Sequence, residues 1–184
     1  METEEIREKK EPKRLPVWAC ILLFALGLFV CMGLYGTIGF GLLSLILGDE
    51  ARHPGLLVYT VTEANMLLSV LTPAVILLYF ERRPFSDLGL TLKGHVRGLW
   101  YGLLVAMLLY LIGFGLSLAI GEVEVTGFQF DPLNLLGTFV FCLLVALTEE
   151  IMMRGYILGR LLHTRMNKFL ALFVSALLFA LLHL

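Results

Sequence analysis

Long runs of Leu, Val, Ile, Phe, Ala and Gly alternate with short polar connections along this chain. Five runs stand out, at about 16–47, 56–80, 98–120, 135–162 and 169–184. A bilayer core of ~30 Å needs about 20 residues of helix, and each of the first four runs meets that length. The fifth holds 16 residues and stops on an apolar residue with no flanking charge. A helix cut inside a bilayer would leave carbonyls unsatisfied in hydrocarbon, so the pattern predicts a C-terminally truncated chain with further helices beyond Leu184. The first run is far longer than the ~7–15 residues of a signal-peptide core and reads as a retained anchor. Its glycines, Gly27, Gly33, Gly36, Gly39, Gly41 and Gly48, predict a kinked or interrupted helix.

Composition agrees with the pattern. Of the 184 residues, 59% are hydrophobic and 16% charged, and the mean hydropathy is +0.88; a soluble domain carries about 25% charged residues. The expected fold class is therefore all-α, a polytopic transmembrane helical bundle with about five helices present. A net charge of -1 argues against a nucleic-acid partner. Cys20, Cys31 and Cys142 fall in apolar runs without CxxC spacing and read as small buried hydrophobes.

Charge placement predicts orientation. Arg7, Lys9, Lys10, Lys13 and Arg14 precede the first run; Arg82, Arg83, Lys93 and Arg97 follow the second; Arg160, Arg165 and Lys168 follow the fourth. These regions are expected to be cytoplasmic, with the N-terminus inside. The other connections offer only Arg52. Trp18, Tyr59, Tyr79, Trp100 and Tyr101 lie near expected helix ends, as an interfacial aromatic belt requires. The organisation predicted is a charged cytoplasmic tail at 1–15, N-terminal transmembrane helices at 16–134 with an amphipathic cytoplasmic connection near 82–97, and a further helical segment at 135–184.

One feature of the apolar pattern demands chemistry. Glu149 and Glu150 sit together in the fourth run, where a charge costs at least ~2.5 to 3.5 kcal/mol on insertion scales. Glu150 and Arg154 are spaced i,i+4 with the acid first, the favourable order for an ion pair. Glu149 is rotated by about 100° and faces elsewhere. It is left free to take and release a proton, as a general base must. Reflecting Glu149 through the expected turn centre near residue 166 lands on His183, so the two should lie at one depth on antiparallel helices. Phe179, at i-4 from His183, covers the same face and is placed to limit water access. A structural ion-pair cluster is the plain alternative for Glu149, Glu150 and Arg154, and a satisfied core histidine for His183. Glu63 lies toward the outer end of the second run and reads as interfacial. His53, His95 and His163 read as solvent-facing. Gly94, Gly98 and Gly102, with Gly155 and Gly159, read as close-packing positions between helices.

The run Glu149-Glu150-Ile-Met-Met-Arg154 matches an EExxxR pattern and Phe179-Ala-Leu-Leu-His183 matches FxxxH, in order and about thirty residues apart. Together they resemble the first two motifs of the intramembrane protease family that includes CAAX prenyl proteases of the Rce1 type and bacteriocin-processing or immunity relatives. Arg83-Pro-Phe-Ser-Asp-Leu-Gly-Leu90 resembles a stretch upstream of that core in bacterial members. The resemblance implies hydrolysis of a peptide bond in a membrane-associated, prenylated or leader-peptide substrate. Glu149 would activate water, His183 would position it or stabilise the oxyanion, Glu150 and Arg154 would support them, and Phe179 would contact substrate. It implies either zinc or another divalent metal, with Glu149 and His183 as ligands, or a metal-free glutamate mechanism. The family's third motif, His followed four residues later by Asn or Asp, is absent up to Leu184, so the fragment alone is expected to be inactive. The rival readings are a transporter or channel using Glu149, Glu150 and His183 as a proton or cation relay, and a non-catalytic scaffold. No repeat between early and late helices supports the transporter.

Overall fold

The computed structural model describes residues 15–52, 55–91 and 94–184. The basic residues of the N-terminal tail, His53 and Lys93 lie outside the described residues. Every regular element is helical: α1 (Val17–Leu47), α2 (Leu56–Phe80), α3 (Val96–Ala119), α4 (Pro132–Glu149), α5 (Gly159–Leu162) and α6 (Lys168–Leu181). α4 and α5 form one continuous rod through a π-helical segment, Glu150–Leu158. Among the described residues four helices are long and apolar enough to cross a membrane: α1, α2, α3 and the rod Pro132–Leu162. α6 is shorter. The chain is an all-α integral membrane protein, and the apolar runs locate its helices closely.

α1 is continuous from Val17 to Leu47, without the interruption its glycines allow. Two of those glycines, Gly27 and Gly39, serve contact with α2. A Cβ on Gly27 would stand 2.8 Å from Pro73 Cβ, and one on Gly39 would collide with the Asn65 amide. Small residues let two backbones approach where lipid offers no hydrophobic drive for helices to associate. These contacts, with the Tyr35–Thr72 hydroxyl bond of 3.0 Å, run α1 antiparallel to α2. α2 and α4 run parallel: Leu56 meets Gly137, and the Tyr59 and Phe141 rings lie 6.3 Å apart. Asp131 caps α4 by accepting from the Leu133 and Asn134 amides at 3.0 and 3.2 Å.

The core gathers at one end of the bundle, where the start of α1, the end of α2, the π segment and the start of α6 converge. Phe24, Val70, Ala74, Leu78, Tyr156, Leu161 and Ala171 form its centre. Phe24 stacks on Tyr156 with centroids 4.3 Å apart. The amphipathic connection, largely exposed, sends one residue into this core. Its 3-10 turn, Phe85–Leu88, buries Leu88 and docks on the π segment. A Cβ on Gly155 would stand 2.6 Å from the Leu88 carbonyl oxygen, so Gly155 packs on a backbone turn and not on another helix. Gly155→Ala is accordingly expected to cost about 1–3 kcal/mol of stability in detergent unfolding, since a fixed carbonyl cannot yield as a side chain would; an unchanged midpoint would refute the contact.

α3 departs from the expected bundle in a different way, because it buries none of its residues. An apolar helix needs no protein partner in lipid, whose tails are as apolar as leucine.

Candidate active site

The two motifs meet. The helical hairpin formed by the α4–α5 rod and α6 puts Ser175 Oγ 3.4 Å from the Met153 carbonyl and His183 Nε2 3.4 Å from Glu149 Oε1. The second pair is the one reflection through residue 166 requires. Glu149 closes α4, and Glu150 opens the π segment, so the backbone changes its hydrogen-bond register between the two acids. π segments are rare and recur at functional sites. Within it Glu150 still reaches Arg154 as an ion pair.

His183 Nδ1 lies 2.9 Å from the Phe179 carbonyl. A carbonyl only accepts, so Nδ1 carries a proton and donates it there. Nε2 then faces the Glu149 carboxyl with a lone pair, unless one further proton lies between them. A proton between Nε2 and Oε1 makes this contact attractive. The Phe179 ring packs on the imidazole at 4.4 Å between centroids. The tautomer and ring plane of His183 are thus set by the residue one turn before it.

Two openings flank the pair. One, about 400 Å³, lies between the rod and α6 and holds Glu149, Glu150, Arg154 and Ser175 among its lining. The other, about 560 Å³, is bounded by α1, α2, α4 and α6, and both Glu149 and His183 face it from walls of leucine, isoleucine, phenylalanine and methionine. Glu149 stands between them. The side chains of Glu150 and Arg154 are 51% and 70% exposed, and both line the first of these openings.

A buried ionic site lies elsewhere in the fold. Arg160, expected as a cytoplasmic loop charge, is 4% exposed inside the core. It pairs with Glu81 at the end of α2, which also meets Arg83 Nε at 3.4 Å and accepts from the Cys20 thiol at 2.8 Å. The Arg160 guanidinium lies 5.0 Å from the Tyr156 ring centroid. Cys20 is a buried polar partner, whereas Cys142 is exposed. The signal was a lone Glu beside Arg82 and Arg83, with no spacing to indicate a partner seventy-nine positions away.

For a metal, Glu149 and His183 are two donors. A catalytic zinc usually takes three protein ligands, and among the described residues no group of three or more His, Cys, Asp or Glu side chains is placed to hold one. The described donor set does not complete such a site.

Fold and site together define an integral membrane protein with an acid–histidine pair set within its helices. Residues 131–184, from the cap of α4 to the end of the chain, match the model of the family described as type II CAAX prenyl endopeptidase Rce1-like. Both motifs lie inside the matched residues, and the upstream stretch Arg83–Leu90 lies outside them. No curated protein and no solved structure matches the chain.

Proposed function

We propose that the chain carries an intramembrane endopeptidase site in which Glu149 is the general base and His183 its partner. The contact between Glu149 Oε1 and His183 Nε2 carries this reading. The family match over the same residues supports it. Glu149 as carboxylate takes a proton from water, and the hydroxide oxygen bonds to the scissile carbonyl carbon. A protonated Nε2 donates to the oxygen on which negative charge develops. The C–N bond then breaks, and the proton held by Glu149 passes to the leaving amine. Proton transfer by a positioned group contributes typically 10²- to 10⁴-fold. Fixing the imidazole through the Phe179 carbonyl keeps Nε2 aimed at the reacting region. Glu150 and Arg154 present a neutralised polar wall to the cleft, which admits water at a depth where lipid would exclude it. The substrate class is a membrane-associated peptide, prenylated or leader-like, and the bilayer is the protein's other partner. The N-terminus is assigned to the cytoplasm on the charge pattern.

The test is cleavage of membrane-anchored reporter peptides by the full-length protein in liposomes, with products identified by mass. Wild type should cut and His183→Ala should lose at least about 10²-fold in rate. Chelation followed by zinc readdition separates the two mechanisms: unchanged rates support the metal-free route, and loss with recovery establishes metal dependence. Absence of any cleaved product across reporters would overturn the protease reading.

A further inference from the structure

Glu63 is a second carboxylate in the larger opening. From its place in the apolar run it reads as an interfacial residue, but helix register moves it inward. Leu56 is level with Gly137 and Tyr59 with Phe141 on the parallel helix α4, which sets Glu63 level with positions 144–145. Val145 indeed lines the opening with it. At ~1.5 Å per residue, Glu63 stands only about 6 Å along the helix axis from Glu149, and about 10 Å inside the start of α2. It is half-buried, and among the described residues it has no hydrogen bond or ion pair. An unpaired carboxylate at that depth is costly and marks a functional position.

The charge balance of the opening says what would relieve it. Glu63 and Glu149 both face it, with His183 the sole base. Arg154 lines the other cleft, and Arg160 is committed to Glu81. The Thr148 hydroxyl is committed to the Leu144 carbonyl at 2.9 Å. The remaining surface is apolar. An occupant of about 560 Å³ that satisfies these walls is an apolar segment bearing one cation. Neighbouring helix axes lie 8–10 Å apart, so an axial offset of about 6 Å puts the two carboxylates' helices roughly 11 Å apart at these positions. An extended peptide spans that in about three residues.

We propose that Glu63 determines specificity, by pairing with a lysine or arginine about three residues from the bond that the Glu149–His183 pair reaches. The inference rests on the endopeptidase reading for the word "bond" and on the shared opening for the recognition. Full-length protein in liposomes is given reporter peptides that carry Lys, Gln or Glu at successive positions around the cut. At one register the Lys peptide should be cleaved about tenfold more efficiently than the Gln peptide. Glu63→Gln should bring that ratio to about one, and Glu63→Lys should invert it in favour of the Glu peptide. A Lys preference that survives both substitutions, or no preference at any register, would overturn the proposal. A separate arm measures binding of the same peptides to Glu149→Gln protein by photocrosslinking. If wild type cuts nothing but Lys peptides still crosslink in a Glu63-dependent manner, the endopeptidase reading has failed and the recognition stands. Crosslinking that ignores Glu63 refutes the recognition whatever the cleavage assay gives.

Discussion

Glu149→Gln is expected to abolish cleavage of a membrane-anchored reporter, a loss of at least about 10²- to 10⁴-fold, while expression and membrane insertion stay at wild-type levels. The substitution keeps size and hydrogen-bonding capacity and removes only the ability to take a proton. The His183 contact at 3.4 Å can persist with an amide oxygen, so the fold has little reason to change. Glu150→Gln makes the internal comparison. Its carboxylate is committed to Arg154 and faces the cleft half-exposed, so it should lower activity less than Glu149→Gln and leave the unfolding midpoint near wild type. Cleavage at the wild-type rate by Glu149→Gln would sink the assignment of the base. Equal losses in both variants would mean that the two acids act as a unit.

The largest stability effect is expected far from the acidic pair, at Glu81. Removing its charge leaves the Arg160 guanidinium buried at 4% exposure without its carboxylate. Arg160 Nη2 already lacks a hydrogen-bond partner among the described residues, so little local compensation exists. Stranding one member of a buried pair costs about 3–5 kcal/mol, far more than an exposed pair contributes. Glu81→Gln and Arg160→Ala should each lose that much in denaturant unfolding in mixed micelles. The double variant Glu81→Leu/Arg160→Met should recover most of the loss, because apolar replacements of a whole buried pair are often neutral. A loss below about 1 kcal/mol for Glu81→Gln would show that the pair does not hold α2 to the rod. Activity should fall together with stability, since the same contacts seat the Phe85–Leu88 turn on the π segment that begins at Glu150.

The unequal legibility of these two ionic sites has a physical cause. Glu150–Arg154 is local, one turn of one helix, and Glu149–His183 is a reflection through a short hairpin turn; both follow from rise per residue and chain direction. Glu81–Arg160 joins elements whose packing no local period reports. The same contrast separates the glycines. Four-residue spacing suggested helix contacts for Gly155 and Gly159, but Gly155 meets a carbonyl of a loop turn. Gly27 and Gly39 stood out as breaks in the side-chain pattern, and they seat Pro73 and Asn65. A missing side chain is visible in a sequence, and what fills its place is not.

By itself the sequence determined where the helices lie, that the chain belongs in a bilayer, and which acid and histidine share a level, because these rest on hydrophobic length and on the fixed geometry of a helix. Only the tertiary structure decided that Arg160 is a core residue rather than a loop charge, that the register of the rod changes between Glu149 and Glu150, that α3 buries none of its residues, and that Glu63 faces the same opening as Glu149. These depend on which helices adjoin and in what register. In lipid that choice is made by close packing and buried polar pairs, since apolar surface alone does not discriminate between one helix neighbour and another.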